Sequence, residues 1–455
     1  MTTTLSLEGR QVARHDGLKG WLLARRYALA GMALVLVSGM AYSFFWRPLH
    51  GQSGWATPPD VWTFYAGAHL VGHGDLGGVF APGTALANFP AFLVLAPAAR
   101  LTSALGLSDA YPFPLPHPTA WFVLGPVQLL LGTSVLIALD SLAEQLGLNS
   151  RRRLVLSLTE AVVVWPLVAI WGHPEVGLAM AFAIAAVTRL LRGNLAACGW
   201  LFGVALAFQS LVILMAPVLI AIVPSARQRA LFVARSLLPA VVLVLSGLVT
   251  YWNATVHFMF QQPNYPTLNH PTPWLSFAPV LDPGYVTHYL VTHERYSHGS
   301  YHLVHSWASI RQGEAVAAGP GRFVAIALAC VIGLWAWRHR TSVTSIGVLW
   351  FMAACLALRC FFESVMDPYY FVPPLLIIVF CASFGRAPRF LTAGLLAVAI
   401  SVYSEYHFSP WTWYLPLAVL LLASLAVAAP NVAELGMRRI SRTTPPVDAA
   451  LGHGN

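Results

Sequence analysis

Charge is what this sequence has least of. Asp, Glu, Lys and Arg make up 9% of its 455 residues, against 57% hydrophobic residues. A soluble domain carries about a quarter charged residues, so the deficit excludes an ordinary globular protein. Lysine is nearly missing, with Lys19 the sole instance. Cysteine is scarce as well. Cys198, Cys330, Cys355, Cys360 and Cys381 form no CxxC pair and no Cys/His zinc spacing, so neither a disulfide framework nor a zinc module is expected. They read as buried thiols in apolar segments. Also missing are the alternating runs of about ten residues that build membrane barrels. The apolar runs present approach the ~20 residues a helix needs to cross hydrocarbon. Helices are then the remaining way to satisfy the backbone in lipid. The predicted class is an all-α polytopic membrane protein.

The net charge of +9 suggests nucleic acid in a soluble chain, but here the arginines sit in short clusters between apolar runs. That is the positive-inside pattern, and nucleic acid is not an expected partner. Arg10, Arg14, Lys19, Arg25 and Arg26 precede the first run without a small-residue cleavage site, which reads as a retained cytoplasmic lead-in. Alternation from there predicts twelve spans at 27–46, 119–141, 154–172, 174–191, 195–209, 210–224, 230–256, 321–337, 342–360, 368–384, 390–406 and 411–430, with both termini cytoplasmic. The pieces 195–209 and 210–224 are short and form a thin hairpin turning near Gln209. The stretch 84–106 is interrupted by Pro90, Pro97 and Arg100. It is expected to lie in the outer interface, because a crossing there strands Arg151, Arg152 and Arg153 outside.

Two outer segments, 47–118 and 257–320, are too long for connectors and rich in Trp, Tyr, His and Pro. The chain thus divides into a transmembrane module at 1–256 that includes the 47–118 loop, a second large loop at 257–320, and a C-terminal module at 321–455. Sorting the charges by side places Asp60, His173, Glu175, His257, Asp282, Glu294, His302, His305, Arg311, Arg322, Arg359, Glu363, Asp367, Glu405 and others outside. Asp140, Glu144, Glu160 and Glu434 lie inward near arginines. Ionisable groups at membrane depth are functional candidates, so the chemistry is expected on the extracytoplasmic face.

Pro58-Pro59-Asp60 opens a helix running to about Leu70 and stopping at Gly72 and Gly74, with Asp60 as its N-cap. The stretch Asp60-Val61-Trp62-Thr63-Phe64-Tyr65-Ala66-Gly67-Ala68, with Gly72, Gly74, Phe80-Ala81-Pro82 and then Asn88-Phe89-Pro90 and Pro97, resembles the first outer loop of GT-C superfamily glycosyltransferases. The nearest branch is the bacterial polyprenol-phosphate-mannose-dependent α-1,2-mannosyltransferases that build phosphatidylinositol mannosides and lipomannan. Close matching covers about residues 60–100. The short hairpin carries Gln209 where that family often has Lys.

The resemblance implies transfer of a sugar, usually with inversion, from a polyprenyl-phosphate donor to a lipid-anchored glycan acceptor at the periplasmic face of a bacterial cytoplasmic membrane. It assigns the proton-accepting role to Asp60, with Tyr65 beside it in the motif. The departing phosphate needs Arg or His, and His257, His302, His305, Arg311, Arg322 and Arg359 supply candidates. Glu363 and Asp367 either pair with Arg359 in a structural ion cluster or join the site. His302 and His305 at i, i+3 suit one helix face or a metal. His173-Pro174-Glu175 is a tight turn or a site element. No cofactor is required, a divalent metal is left open, and a monomer is expected. The alternatives are a flippase or transporter of lipid-linked sugars, which places charges or broken helices near the midplane, and an O-antigen-ligase-like enzyme that does not need Asp60.

Overall fold

The computed structural model describes residues 17–80, 89–108, 116–253, 255–256, 264, 266, 269–281, 289–297, 300–308, 316–340, 342–406 and 409–430, with side chains left out of the description at 289–297 and 300–308. Its helices in chain order are α1 (Gly17–Ala24), α2 (Arg26–Leu49), α3 (Val61–Gly72), α4 (Phe89–Ala104), α5 (Trp121–Gln145), α6 (Ser150–Trp171), α7 (Pro174–Leu191), α8 (Leu195–Phe208), α9 (Ser210–Ile222), α10 (Ala226–Thr250), α11 (Gly321–Arg338), α12 (Ser345–Phe362), α13 (Pro368–Ala382), α14 (Ala387–Tyr403) and α15 (Pro410–Ala428). Eight of these, α2, α5, α6, α7, α10, α11, α12 and α15, are long and apolar enough to cross a membrane. The protein is therefore mostly helical and membrane-spanning in character.

The four remaining expected spans correspond to the shorter α8, α9, α13 and α14. Part of their shortness has a physical reason. Residues Ser210–Met215 of α9 and Pro368–Phe371 of α13 are 3₁₀ turns, which rise ~2.0 Å per residue against 1.5 Å in an α-helix. The 84–106 stretch appears as α4, packed against α3 through Gly67 on Phe92 and Gly72 on the Ala96 carbonyl.

Within this helical frame the second loop forms short strands. The second loop pairs Tyr289–Ser297 (β2) with Ser300–Ala308 (β3) in an antiparallel hairpin, and His270–Pro271 (β1) pairs with Val365–Met366 (β4). β-Branched and aromatic residues in both hairpin arms favour strand over helix. His302 and His305 therefore lie on a strand, and their i, i+3 spacing loses the helical face on which they were paired.

The arginines gather at one end of the bundle. Arg25 Nη1 donates to Asp140 Oδ2 at 2.8 Å, Arg153 Nε donates to Asp140 Oδ1 at 2.7 Å, and Glu144 accepts from both arginines. Arg152 reaches the Ser383 and Gly385 carbonyls, and Arg192 reaches Gln145. Four helices beginning at this end are capped by Asn149, Asn194, Ser225 and Thr344, each accepting from a backbone N–H three residues on. Three helices beginning at the opposite end start instead on Pro174, Pro368 and Pro410.

Two corrections follow from burial. Glu160 is fully buried within α6, and neither carboxylate oxygen has a hydrogen-bond partner among the described residues. Arg153, two turns earlier, is spent on Asp140. Cys330 faces outward from α11, while the other four cysteines are buried.

Candidate active site

The end of the bundle opposite the arginine cluster is built around one irregular turn. Pro166 lacks an N–H, and α6 ends in a π-helical stretch, Pro166–Trp171, closed by Gly172 at φ 80°. A Cβ on Gly172 meets Pro58 Cβ at 2.6 Å and Val61 N at 3.2 Å. Glycine there permits both the left-handed backbone and the approach of the Pro58–Val61 segment. That approach sets Asp60 against His173.

Gly177 fixes the depth of the next helix. A Cβ on it falls 1.8 Å from the Gly132 carbonyl oxygen, so α7 lies directly on α5. The same packing buries Glu175 in the first turn of α7, at 1% exposure.

His173 bridges two carboxylates. Its Nε2 lies 3.0 Å from Asp60 Oδ2 and its Nδ1 lies 2.7 Å from Glu175 Oε1. Burial opposes a charge on the ring, but the Glu175 and Asp60 carboxylates outweigh it and raise the His173 pKa to about 10. At neutral pH the imidazolium therefore donates to both neighbours. Tyr369 stacks on it at 4.0 Å, and Phe64 meets it edge-on at 5.6 Å. Asp60 makes no side-chain capping bond to α3, which corrects its expected N-cap role. Its carboxylate is committed to His173 instead, and its side chain remains 43% exposed.

A second group faces this one. Glu363, 2% exposed, accepts from Arg322 Nε at 3.0 Å and from Arg359 Nε at 3.0 Å. The Arg359 guanidinium also lies 3.6 Å over the Tyr370 ring. Asp367 stands outside this ion cluster. Burial raises its pKa, with the Tyr370 hydroxyl and the charges of His173 and Arg359 opposing the shift. The second loop pins the linker that carries these residues. Thr272 Oγ1 donates to the Glu363 carbonyl at 2.6 Å, and Trp274 Nε1 donates to the Phe361 carbonyl at 2.7 Å. Trp274 thus holds that linker in place.

Between the two groups lies a cavity of about 390 Å³. Its polar wall is His173, Glu175, Gln209, Arg322, Arg359 and Glu363. Its other wall is apolar, from Leu206, Ile213 and Leu214 to Leu237 and Ile326. Leu237, near the middle of α10, and Ile326, a turn into α11, are 43% and 45% exposed. The cavity thus runs from a polar floor to an apolar gap between two helices with outward-facing side chains. Two guanidiniums against one carboxylate leave its cationic side with net positive charge. Asp60 is absent from this wall and meets it only through its hydrogen bond to His173.

The structure brings together Asp60, His173, Glu175, Arg322, Arg359 and Glu363, six of the sequence-predicted site residues. Tyr65 is not with them. It is 2% exposed, and its hydroxyl bonds Thr102 Oγ1 at 2.6 Å, joining α3 to α4. His257 and Arg311 lie outside the described residues, as do the side chains of His302 and His305. Tyr369 was missed, although Asp367-Pro368-Tyr369-Tyr370 begins four residues after Glu363. Among the described residues no group of three or more His, Cys, Asp or Glu side chains is placed to hold a metal ion. No family model, curated protein or solved structure matches the chain.

Proposed function

We propose that this chain is an integral membrane glycosyltransferase. It moves a sugar, mannose by the resemblance, from a polyprenyl-phosphate donor to a lipid-anchored glycan at the periplasmic face of a bacterial cytoplasmic membrane. In this reading α8, α9, α13 and α14 complete twelve spans. One observation carries it: a cavity with a net cationic floor and an apolar wall open between α10 and α11, whose floor residue His173 is hydrogen-bonded to the Asp60 carboxylate. Those features suit the phosphate, the prenyl chain and the acceptor hydroxyl of such a reaction.

The chemistry follows from the groups present. The acceptor hydroxyl oxygen bonds to the anomeric carbon as its proton passes to Asp60. The bond from that carbon to the phosphate oxygen breaks, and its electron pair leaves with the phosphate. Arg322 and Arg359 stabilise the charge that develops there. His173, its pKa raised to about 10, donates to Asp60 and holds it in place. Attack and departure on opposite faces of the anomeric carbon give inversion. A transporter reading draws on buried, unpartnered Glu160, yet that residue does not line the cavity.

Purified protein in liposomes, given polyprenyl-phosphate-[¹⁴C]mannose and a mannosylated lipid acceptor, is expected to yield labelled product of opposite anomeric configuration to the donor. Absence of transfer from a panel of polyprenyl-phosphate sugars contradicts the proposal.

A further inference from the structure

A second cleft, of about 410 Å³, opens between α2, α6 and α14. Its walls are apolar for most of their length, with Leu34 on α2, Val162 and Ile170 on α6, and Val398 and Val402 on α14. Leu34, Val162 and Val402 are 46%, 45% and 54% exposed, so the cleft faces outward from the bundle. At one end stands a single carboxylate, Glu405, just past the end of α14. Trp171 Nε1 donates to both of its oxygens at 3.2 Å. Burial raises the Glu405 pKa to about 7, with the Trp171 hydrogen bond opposing the shift.

The position of this carboxylate relates it to the candidate active site. Trp171 ends the π-helical stretch that carries Gly172 and His173. Its ring lies 5.9 Å from Tyr369, which stacks at 4.0 Å on His173, which in turn holds Asp60. The cavity with the arginines opens between α10 and α11, so the two clefts use different helices. Asp60 stands outside that cavity's wall and is 43% exposed. A transferase with two lipid-borne substrates needs a separate approach for each. The proton acceptor also has to face the acceptor rather than the donor.

We infer that the cleft between α2, α6 and α14 takes the lipid chain of the acceptor, with Glu405 accepting hydrogen bonds from the hydroxyls of its sugar headgroup. This rests on the transferase reading. An apolar groove ending in one carboxylate suits a neutral glycolipid. It does not suit a second phosphate, since among the described residues no cationic side chain lines it.

Two experiments test it. In the transfer assay, Glu405→Gln and the groove-filling Val402→Trp are each expected to raise the acceptor KM by roughly 10-fold, the scale of one charge-assisted hydrogen bond or one lost apolar contact. The donor KM stays at the wild-type value. A rise in the donor KM instead, or no change in either, overturns the inference. The second experiment needs no turnover. A dialkylglycerol mannoside carrying a diazirine in one alkyl chain is expected to label residues 398–406 in wild type and in Asp60→Asn. Labelling near Leu237 or Ile326, or equal labelling of 398–406 by a diazirine phosphatidylcholine, overturns it. Mannoside-selective labelling without any transfer retains the groove and rejects the transferase.

Discussion

Under the proposed function, Asp60→Asn is expected to lower the initial rate of sugar transfer by roughly 10²–10⁴-fold, the usual contribution of a positioned general base. Its thermal midpoint stays near that of wild type. The basis is local. Asparagine keeps an oxygen to accept from His173 Nε2, now 3.0 Å from Asp60 Oδ2, but it cannot take up the acceptor proton. Asp60 makes no capping bond whose loss would fray α3. The accompanying pH dependence is set by His173. Its pKa is raised to about 10, so the bridge stands intact at neutral pH and is lost as pH rises through about 10, while the stability it contributes is full only below the ordinary value near 6.5. Wild-type rate is therefore expected to fall across that alkaline range. Rate assays in proteoliposomes beside melting curves check both points. An Asn variant turning over at the wild-type rate removes the base role from Asp60, and Glu175 in the cavity wall becomes the next carboxylate to examine.

The cationic side gives a second large effect, and here structure and chemistry separate by design. Arg359→Gln leaves the buried Glu363 with Arg322 alone. It is expected to lower stability toward the ~3–5 kcal/mol scale of a broken buried ion pair, and to lower the transfer rate as well. Arg359→Gln combined with Glu363→Gln removes both charges and recovers most of the stability. The rate of the double variant stays down by about 10²–10³-fold, because charge on the departing phosphate has lost one of its two guanidiniums. If Arg359 and Glu363 form a structural pair with no part in the chemistry, the double variant recovers rate together with stability.

These residues differ in how far the sequence discloses them. The membrane class follows from the charge deficit and run lengths. The gathering of arginines at one end follows from their clustering, and in the structure it is fixed by bonds such as Arg152 to the Ser383 and Gly385 carbonyls. The hydrogen bond between Asp60 and His173 spans 113 residues. It depends on a left-handed glycine and a π-helical turn that no periodicity announces. The family resemblance points to Asp60, while the helix-capping reading of the same residue is not supported, because its side chain makes no capping bond. Tyr65 stands in the same motif and points elsewhere, since its ring is drawn into the packing of α3 on α4. His302 and His305 show the opposite failure: a helical spacing has no meaning once β2–β3 pairing decides the backbone. Glu160 was grouped with the inward arginines by proximity along the chain. Asp140 had already taken the nearest one.

The central claim is that one cavity holds the phosphate of a lipid-linked sugar between the two arginines and the His173 bridge. A cryo-electron-microscopy map of Asp60→Asn with a polyprenyl-phosphate sugar tests it most directly. The expected density places the phosphorus at hydrogen-bond distance from Arg322 and Arg359, the prenyl chain between α10 and α11, and the sugar toward residue 60. Phosphate density in the cleft at Glu405, or at the Arg25–Arg153 end of the bundle, contradicts the account.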